Sequence, residues 1–328
     1  MHLRKPVMVI KVVMQFTLLK KHLSQGNLSP CYVLHGDDDW VINTAWGMFD
    51  NAVDSFPEFN IEILGEGSDI RKILEACLTL PMMAERRLVK ADKPSFSMKL
   101  LQEYLSNPAP STVLVLKFGA ALPKDLTAGG GGVTIVNCNR LDRATMTMWV
   151  KREAEKSGAE ISNGAAALLF DYCLDNMSRI STETVKLAAY RYGGIIEPND
   201  VEEFVTADAE HKIFALTDAM TQGNPDLAFD VLNKLLADKN QPIAILGLMY
   251  SHYRRLLHSA ISGDDPDLYK YLGVKEGAVR IAQKNSKKYS KRRLYDIVKM
   301  FHQADFDFKN GGLSGRAGLE KIVAEIIN

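Results

Sequence analysis

Cysteine is scarce. Four thiols in 328 residues, Cys31, Cys77, Cys138 and Cys173, form no C-x-x-C pair and have no histidine cluster nearby. That spacing excludes a zinc ribbon and a dithiol redox motif, and it suits buried thiols in a reducing compartment. Net charge is lacking as well: 40 basic side chains balance 40 acidic ones. No overall field draws the chain to nucleic acid or to an anionic membrane, so any such contact is local. Long apolar runs are also missing, since no segment approaches the about 18 apolar residues that span a bilayer. The opening "MHLRKPVMVIKVVMQFTLLKK" resembles a signal peptide only superficially. Lys11 and Gln15 interrupt it, Lys20 and Lys21 follow it, and no A-x-A cleavage site appears. The expectation is a cytoplasmic protein with no membrane partner, residues 1–13 being an extension.

Catalytic patterns are absent too. The seven histidines, at 2, 22, 35, 211, 252, 258 and 302, include no H-E-x-x-H, and no G-x-S-x-G elbow occurs. His252 and His258 stand six apart on a helical stretch, on different faces. No catalytic residue, metal ligand or cofactor is expected.

What the chain has is a change of rhythm. Apolar residues make up 46% and charged residues 24%, a globular balance, and the length calls for two or three domains. From 31 to 137, short apolar runs alternate with amphipathic ones. The strands expected are Cys31–His35, Asn60–Leu64, Arg87–Ala91, Thr112–Lys117 and Val133–Asn137, with helices at Trp40–Val53, Ile70–Leu78 and Ser97–Leu105. Runs such as Val113-Leu114-Val115-Leu116 predict a parallel sheet covered on both faces. Gly129–Gly132 reads as a flexible loop.

After Asn137 only helical signals remain. Three short helices lie between Asp142 and Gly193, and "IIEPNDVEEFV" reads as a turn, a capped helix and a hinge. From about Glu210 a second helical set begins. Gly223-Asn224-Pro225 supplies a stop, a cap and a first-turn proline, and Gln241-Pro242 opens a long helix striped by Ile243, Leu246, Tyr250, Tyr253 and Leu257. The expected layout is an α/β domain at 14–139, a three-helix domain at 140–208 and an all-α bundle at 209–328.

The first strand–helix corner reads Gly36-Asp37-Asp38-Asp39-Trp40. In a P-loop protein this corner carries G-x-x-x-x-G-K-[ST], whose amides and lysine hold phosphates. Here no lysine follows and three carboxylates stand in its place. Asp37, Asp38 and Asp39 suit a helix N-cap and acidic first turn; a carboxylate metal site is the sharper alternative. The later strand Leu88-Val89-Lys90-Ala91 ends at Asp92-Lys93 with no second acid beside it. No nucleotide-binding residue is expected in this degenerate loop.

Three stretches carry a family resemblance. "LSPCYVLHGDDDWVINTAW", "LTLPMMAERRLVKAD" and "FALTDAMTQGNPDLAFDVLNKLLADKNQPIAILGLMYSHYRRLLHSA" resemble, in order, the opening, the Glu-Arg-Arg signature and the third domain of the delta subunit of the bacterial DNA polymerase III clamp loader. The resemblance implies an AAA+-like sheet domain, a lid-like helical domain and a C-terminal collar bundle. It implies a subunit that binds the DNA sliding clamp and opens or holds open its ring during replication without hydrolysing ATP. The implied partners are the clamp, the other subunits of a hetero-pentamer and primer–template DNA. The competing readings are a degenerate AAA+ scaffold in another DNA-processing complex, or an ATPase or nuclease with an unrecognised site.

The resemblance also implies site residues. The apolar pair that the family inserts into the clamp falls on Met82 and Met83, after Leu80 and Pro81; two methionines depart from the family's usual Leu or Phe. Read without the family, the same pair packs inward over the sheet edge. Arg86 and Arg87 either rim an acidic clamp surface or solvate a strand end. The basic stretch Lys284, Lys287, Lys288, Lys291, Arg292 and Arg293 contacts DNA phosphates or a neighbouring collar, or is a solvated helix start.

Overall fold

The computed structural model describes residues 12–26, 28–53, 55–124, 126, 132–237, 241–263, 265, 267–274, 276–311 and 315–327. Residues 1–11 of the expected extension and glycines 129–131 lie outside these. The chain divides into two units, Met1–Met148 and Trp149–Asn328.

In the first unit β1 (Val12–Gln15) leads into α1 (Phe16–Ser24), then β2 (Cys31–His35), α2 (Asp39–Met48) and a 3₁₀ turn (Phe49–Ala52). Next come α3 (Pro57–Asn60), β3 (Ile61–Leu64), α4 (Ile70–Leu78), β4 (Arg87–Asp92), α5 (Met98–Ser106), β5 (Thr112–Lys117) and β6 (Val133–Asn137). The sheet order is β1-β6-β2-β5-β4-β3, with every pairing parallel. The alternation of strand side chains divides the core in two. Cys31, Val33, Val89, Leu114 and Leu116 share one layer with Ile73 and Cys77 of α4 and Leu101 of α5. Tyr32, Leu34, Leu88, Val113 and Val115 share the other with Leu19 of α1 and Val41 and Ala45 of α2. Each such aliphatic side chain contributes about 1.5–3 kcal/mol by leaving water.

The five expected strands are present to within one residue at each end. The sheet has a sixth, β1, whose first residues Val12 and Val13 fall inside the stretch read as an extension. Their β-branched side chains suit a strand, and Val12 through Gln15 pair in register with Thr134 through Asn137. β1 stands at the edge of the sheet and ends in the polar Gln15. There one face stays wet, and Val13 is exposed.

The second unit is almost wholly helical. The helix α6 (Arg143–Lys156) runs into it, followed by β7 (Glu160–Ile161), α7 (Asn163–Tyr172), α8 (Met177–Tyr190), β8 (Ile195–Ile196) and α9 (Pro198–Phe204). The short strands β7 and β8 pair in parallel. Ser162 caps α7 and Asn176 caps α8 through their side-chain oxygens. The predicted capped helix is α9, where the buried Asp200 accepts from the Glu197 amide and takes two bonds from the Arg191 guanidinium.

Further along the same unit are α10 (Ala209–Thr221), α11 (Pro225–Ala237), α12 (Pro242–Ser262), α13 (Leu268–Leu272), α14 (Glu276–Ser286), α15 (Lys291–Lys309) and α16 (Gly315–Ile327). Gly223 takes the left-handed φ of 64° that the helix stop demands, and Asn224 accepts from the Leu227 amide to start α11. The long α12 supplies Ile245, Leu246, Met249, Tyr253 and Leu256 to a core shared with Ile297 and Phe301 of α15 and Leu319 and Val323 of α16. His252 lies in this packing, its ring 5.1 Å from that of Phe214. Burial, reinforced by the Arg255 charge, lowers its pKa to about 3, so it is neutral.

Candidate docking tip and nucleotide corner

The end of α4 is tied down from below. Its Ala76 carbonyl accepts from the Thr79 amide and from Arg87 Nε, and its Cys77 carbonyl accepts from Thr112 Oγ1 at the head of β5. Carbonyls at a helix C-terminus need such donors, and here β4 and β5 provide them. The chain beyond is therefore held at its root while its side chains point to water. Leu80 is 80% exposed, Met82 56% and Met83 79%, and Leu78 is exposed beside them. These residues form an apolar tip, not the inward cover of a sheet edge. Pro81 is half-buried among them.

Arg86 and Arg87 part company. Arg87 is only 8% exposed. Its guanidinium donates to Ala76 O, to Phe59 O at 3.0 Å and to the Glu62 carboxylate. That network braces α3, β3 and α4, so Arg87 is neither a rim contact nor a solvated strand end. Arg86 is half-buried and donates to the Gly26 carbonyl at 2.8 Å.

A residue outside the predicted set organises the tip. Asn60, fully buried, donates from Nδ2 to the carbonyls of Ser55, Phe56 and Met82, and its Oδ1 accepts from the Met82 amide at 2.7 Å. An Asn at the head of an expected strand gives no hint of this, because its partner lies 22 residues away.

The nucleotide corner is filled by the protein itself. Asp38 accepts from the Trp40 and Val41 amides and so caps α2, with Asp39 in the first turn. Asp37 turns the other way: its carboxylate accepts from the Arg140 amide, and its own amide donates to Asn139 Oδ1. The amides that a P-loop would aim at phosphate are thus paired with side chains of the chain itself. A Cβ on Gly36 would lie 2.1 Å from the Cys138 carbonyl carbon and oxygen. Glycine is required there by the close passage of the segment after β6.

At the end of β4, Asp92 pairs with Lys117 of β5 at 2.7 Å. The acid that closes β4 is thus paired with an ammonium of the chain itself. The buried Lys90 bonds Asp50 at 2.7 Å, and its Nζ lies 4.5 Å from the centre of the Trp46 ring. Burial pushes the Lys90 pKa down while Asp50 opposes the shift. Among the described residues no group of three or more His, Cys, Asp or Glu could hold a metal ion, and no helix is long and apolar enough to cross a membrane.

The basic stretch is partly spent. Lys288 pairs with Asp218 at 3.0 Å, Arg292 with Asp296 at 3.2 Å, and Arg293 donates to the Ile326 carbonyl at the end of α16. Lys284, Lys287 and Lys291 remain exposed to solvent.

A six-stranded parallel sheet covered by helices on both faces, joined in one chain to an almost wholly helical region, defines the class. Two models of one family match the chain: "DNA polymerase III, delta subunit" over residues 32–126 and "DNA polymerase III delta subunit, C-terminal domain" over residues 210–326. Together they cover more than half of it, and the chain belongs to the delta-subunit family of the DNA polymerase III clamp loader. It is 22% identical to DNA polymerase III subunit delta of Bacillus subtilis, over 94% of this chain and 95% of that one. Among solved structures, the Bacillus subtilis DNA clamp loader delta protein superposes with a TM-score of 0.76 at 21% identity, covering 95% of this chain and 99% of that one. The RuvB Holliday junction branch migration motor of Thermotoga maritima gives 0.40 at 14% identity, over 61% of this chain and 75% of that one.

Proposed function

We propose that this chain grips the DNA sliding clamp with the tip Leu80, Pro81, Met82 and Met83, and opens or holds open the ring during replication without hydrolysing ATP. The observation that carries the reading is the tip itself: adjacent, strongly exposed apolar side chains on a loop rooted by buried hydrogen bonds. Exposed apolar clusters on a rigid mount are docking anchors, and methionine adapts its shape to an irregular pocket. The corner supports the non-hydrolysing part: no lysine follows Gly36, Asp37 and Asp38 are engaged by backbone amides, and Asp92 is paired with Lys117.

The layout proposed with it is a clamp-binding α/β domain that takes in β1 from Val12 and runs to 139, a lid-like domain at 140–208 and a collar at 209–328, within a cytoplasmic hetero-pentamer acting on primer–template DNA. Lys284, Lys287, Lys291 and Arg292, whose one partner Asp296 lies on its own helix, face solvent where they can meet DNA or a neighbouring collar; Lys288 and Arg293 tie separate helices of the bundle through Asp218 and the Ile326 carbonyl.

The test is binding of the full chain to its cognate sliding clamp, wild type beside Met82→Ala/Met83→Ala. Losing two pocket-filling side chains weakens docking by about 2–4 kcal/mol in total, with an unchanged melting temperature because both are exposed. A folded wild-type chain that ignores the clamp would sink the reading and leave the fold intact.

A further inference from the structure

Two backbone sites near the tip are costly. Met83 has φ 52° and Phe56 has φ 50°, left-handed values that side chains with a Cβ rarely adopt. Such conformations persist where their surroundings over-determine them, and they cluster where a protein binds. Asn60 touches both segments. Its carboxamide reaches four partners: its two N–H groups serve three carbonyls, Ser55 O, Phe56 O and Met82 O at 2.9 Å, and its Oδ1 accepts from the Met82 amide at 2.7 Å. The last two pair donor and acceptor with the N–H and C=O of one residue, Met82, as a neighbouring antiparallel strand would. The two turns are thereby fixed relative to one another.

From this geometry we infer that Asn60 is the positioning residue of the docking tip: it holds Met82 and Met83 in their clamp-ready conformation before any partner arrives. This rests on the clamp-docking reading above. The role needs a donor and an acceptor on one short side chain, which asparagine supplies. Aspartate at this position would accept from the Met82 amide but set its charge against three carbonyl oxygens. Leucine would leave the Met82 N–H and C=O without partners beside a buried site. A tip held in advance avoids the ordering entropy that a floppy loop must lose on binding. The same fixed geometry keeps Leu80, Met82 and Met83 apart from the core, where loose apolar side chains would otherwise collapse.

Asn60 never meets the clamp in this scheme, so its effect must run through the tip. The experiment takes the full chain as wild type, Asn60→Ala and Asn60→Asp, each with and without Met83→Ala. Three quantities are read: clamp affinity, amide hydrogen exchange of the free chain at Met82, and melting temperature. Asn60→Ala is expected to remove the protection of the Met82 amide and to weaken clamp binding by about tenfold or more, the scale of a lost buried hydrogen-bond pair. The loss should shrink in the Met83→Ala background, because coupled residues are not additive. Asn60→Asp, nearly isosteric, should act in the same direction, and it decides the matter if the alanine variant does not fold. Wild-type affinity in a folded variant, an undiminished loss without Met83, or an unchanged Met82 amide would each overturn the inference. If the wild-type chain itself does not bind the clamp, the docking reading falls, and exchange at Met82 alone then decides whether Asn60 holds the tip.

Discussion

Lys117 Nζ lies 2.7 Å from the carboxylate of Asp92 across the ends of β5 and β4, and its Nζ is also 5.0 Å from the centre of the Trp46 ring. A cation fixed to the protein thus neutralises the one acid at the end of β4. Asp37 and Asp38 are engaged by backbone amides in the loop after β2, and on the proposed non-hydrolysing reading neither end of a Mg²⁺–triphosphate finds a place here. Millimolar Mg²⁺-ATP should therefore leave the melting temperature of the isolated chain unmoved, since a ligand that does not bind the folded state cannot stabilise it. Lys117→Asn should not restore binding, because the aspartates remain. Phosphate release that disappears on mutating Asp92 would contradict this account.

Gly36 is held by sterics rather than by turn geometry. A methyl group there meets the Cys138 backbone at 2.1 Å, and backbone cannot step aside as a flexible side chain can. Gly36→Ala should cost about 2–4 kcal/mol through forced movement of the β2 and β6 ends. Urea unfolding monitored on the first unit reads this directly. A cost under about 0.5 kcal/mol, the range of neutral surface changes, would mean that the two segments slide apart easily.

Adjacent arginines should behave oppositely. Arg87→Ala removes a buried guanidinium that ties the Phe59 carbonyl, the Ala76 carbonyl and the Glu62 carboxylate together, leaving Phe59 O without this donor and Ala76 O with the Thr79 amide alone, a loss of about 2–4 kcal/mol of stability. Arg86→Ala gives up one partly exposed bond to Gly26 O and should cost about 0.5–1 kcal/mol. Chemical denaturation of the two single variants separates them, and equal costs would refute the buried-brace assignment.

That contrast marks the limit of what the sequence discloses. The strands of the sheet are legible because Tyr32-Val33-Leu34 and Val113-Leu114-Val115-Leu116 are runs that only a doubly covered parallel sheet explains. Helix α4 is legible from the spacing of Ile70, Ile73 and Cys77, but the outward turn of the apolar pair after it is not, since without the family resemblance that pair reads as packing inward. The braces are not legible, because they depend on partners distant in sequence: Asn60 on Met82, Arg87 on Phe59 and Glu62, Lys117 on Asp92. Each of these polar residues reads equally well as a solvated one until the fold brings its acceptors together. The strand β1 is hidden for another reason: its run is short, interrupted by polar residues and supported by pairing with β6 alone.

The buried His252 gives the helical unit a pH signature. In the folded chain burial lowers its pKa to about 3, against 6.5 for the free side chain. Below pH 6.5 the unfolded chain takes up a proton there that the folded chain refuses until about pH 3. Stability from this group is therefore complete above pH 6.5 and declines as pH falls through that window, by up to about 1.4 kcal/mol per pH unit. In His252→Gln the side chain cannot titrate, so the pH slope of its unfolding free energy between pH 6 and 4.5 should be shallower by about one proton. Carboxylates contribute to the slope of both chains alike, so the difference isolates the imidazole. Equal slopes would show that His252 takes its proton in the folded protein, which would require the α12 core to open around the Phe214 and Tyr253 rings without unfolding.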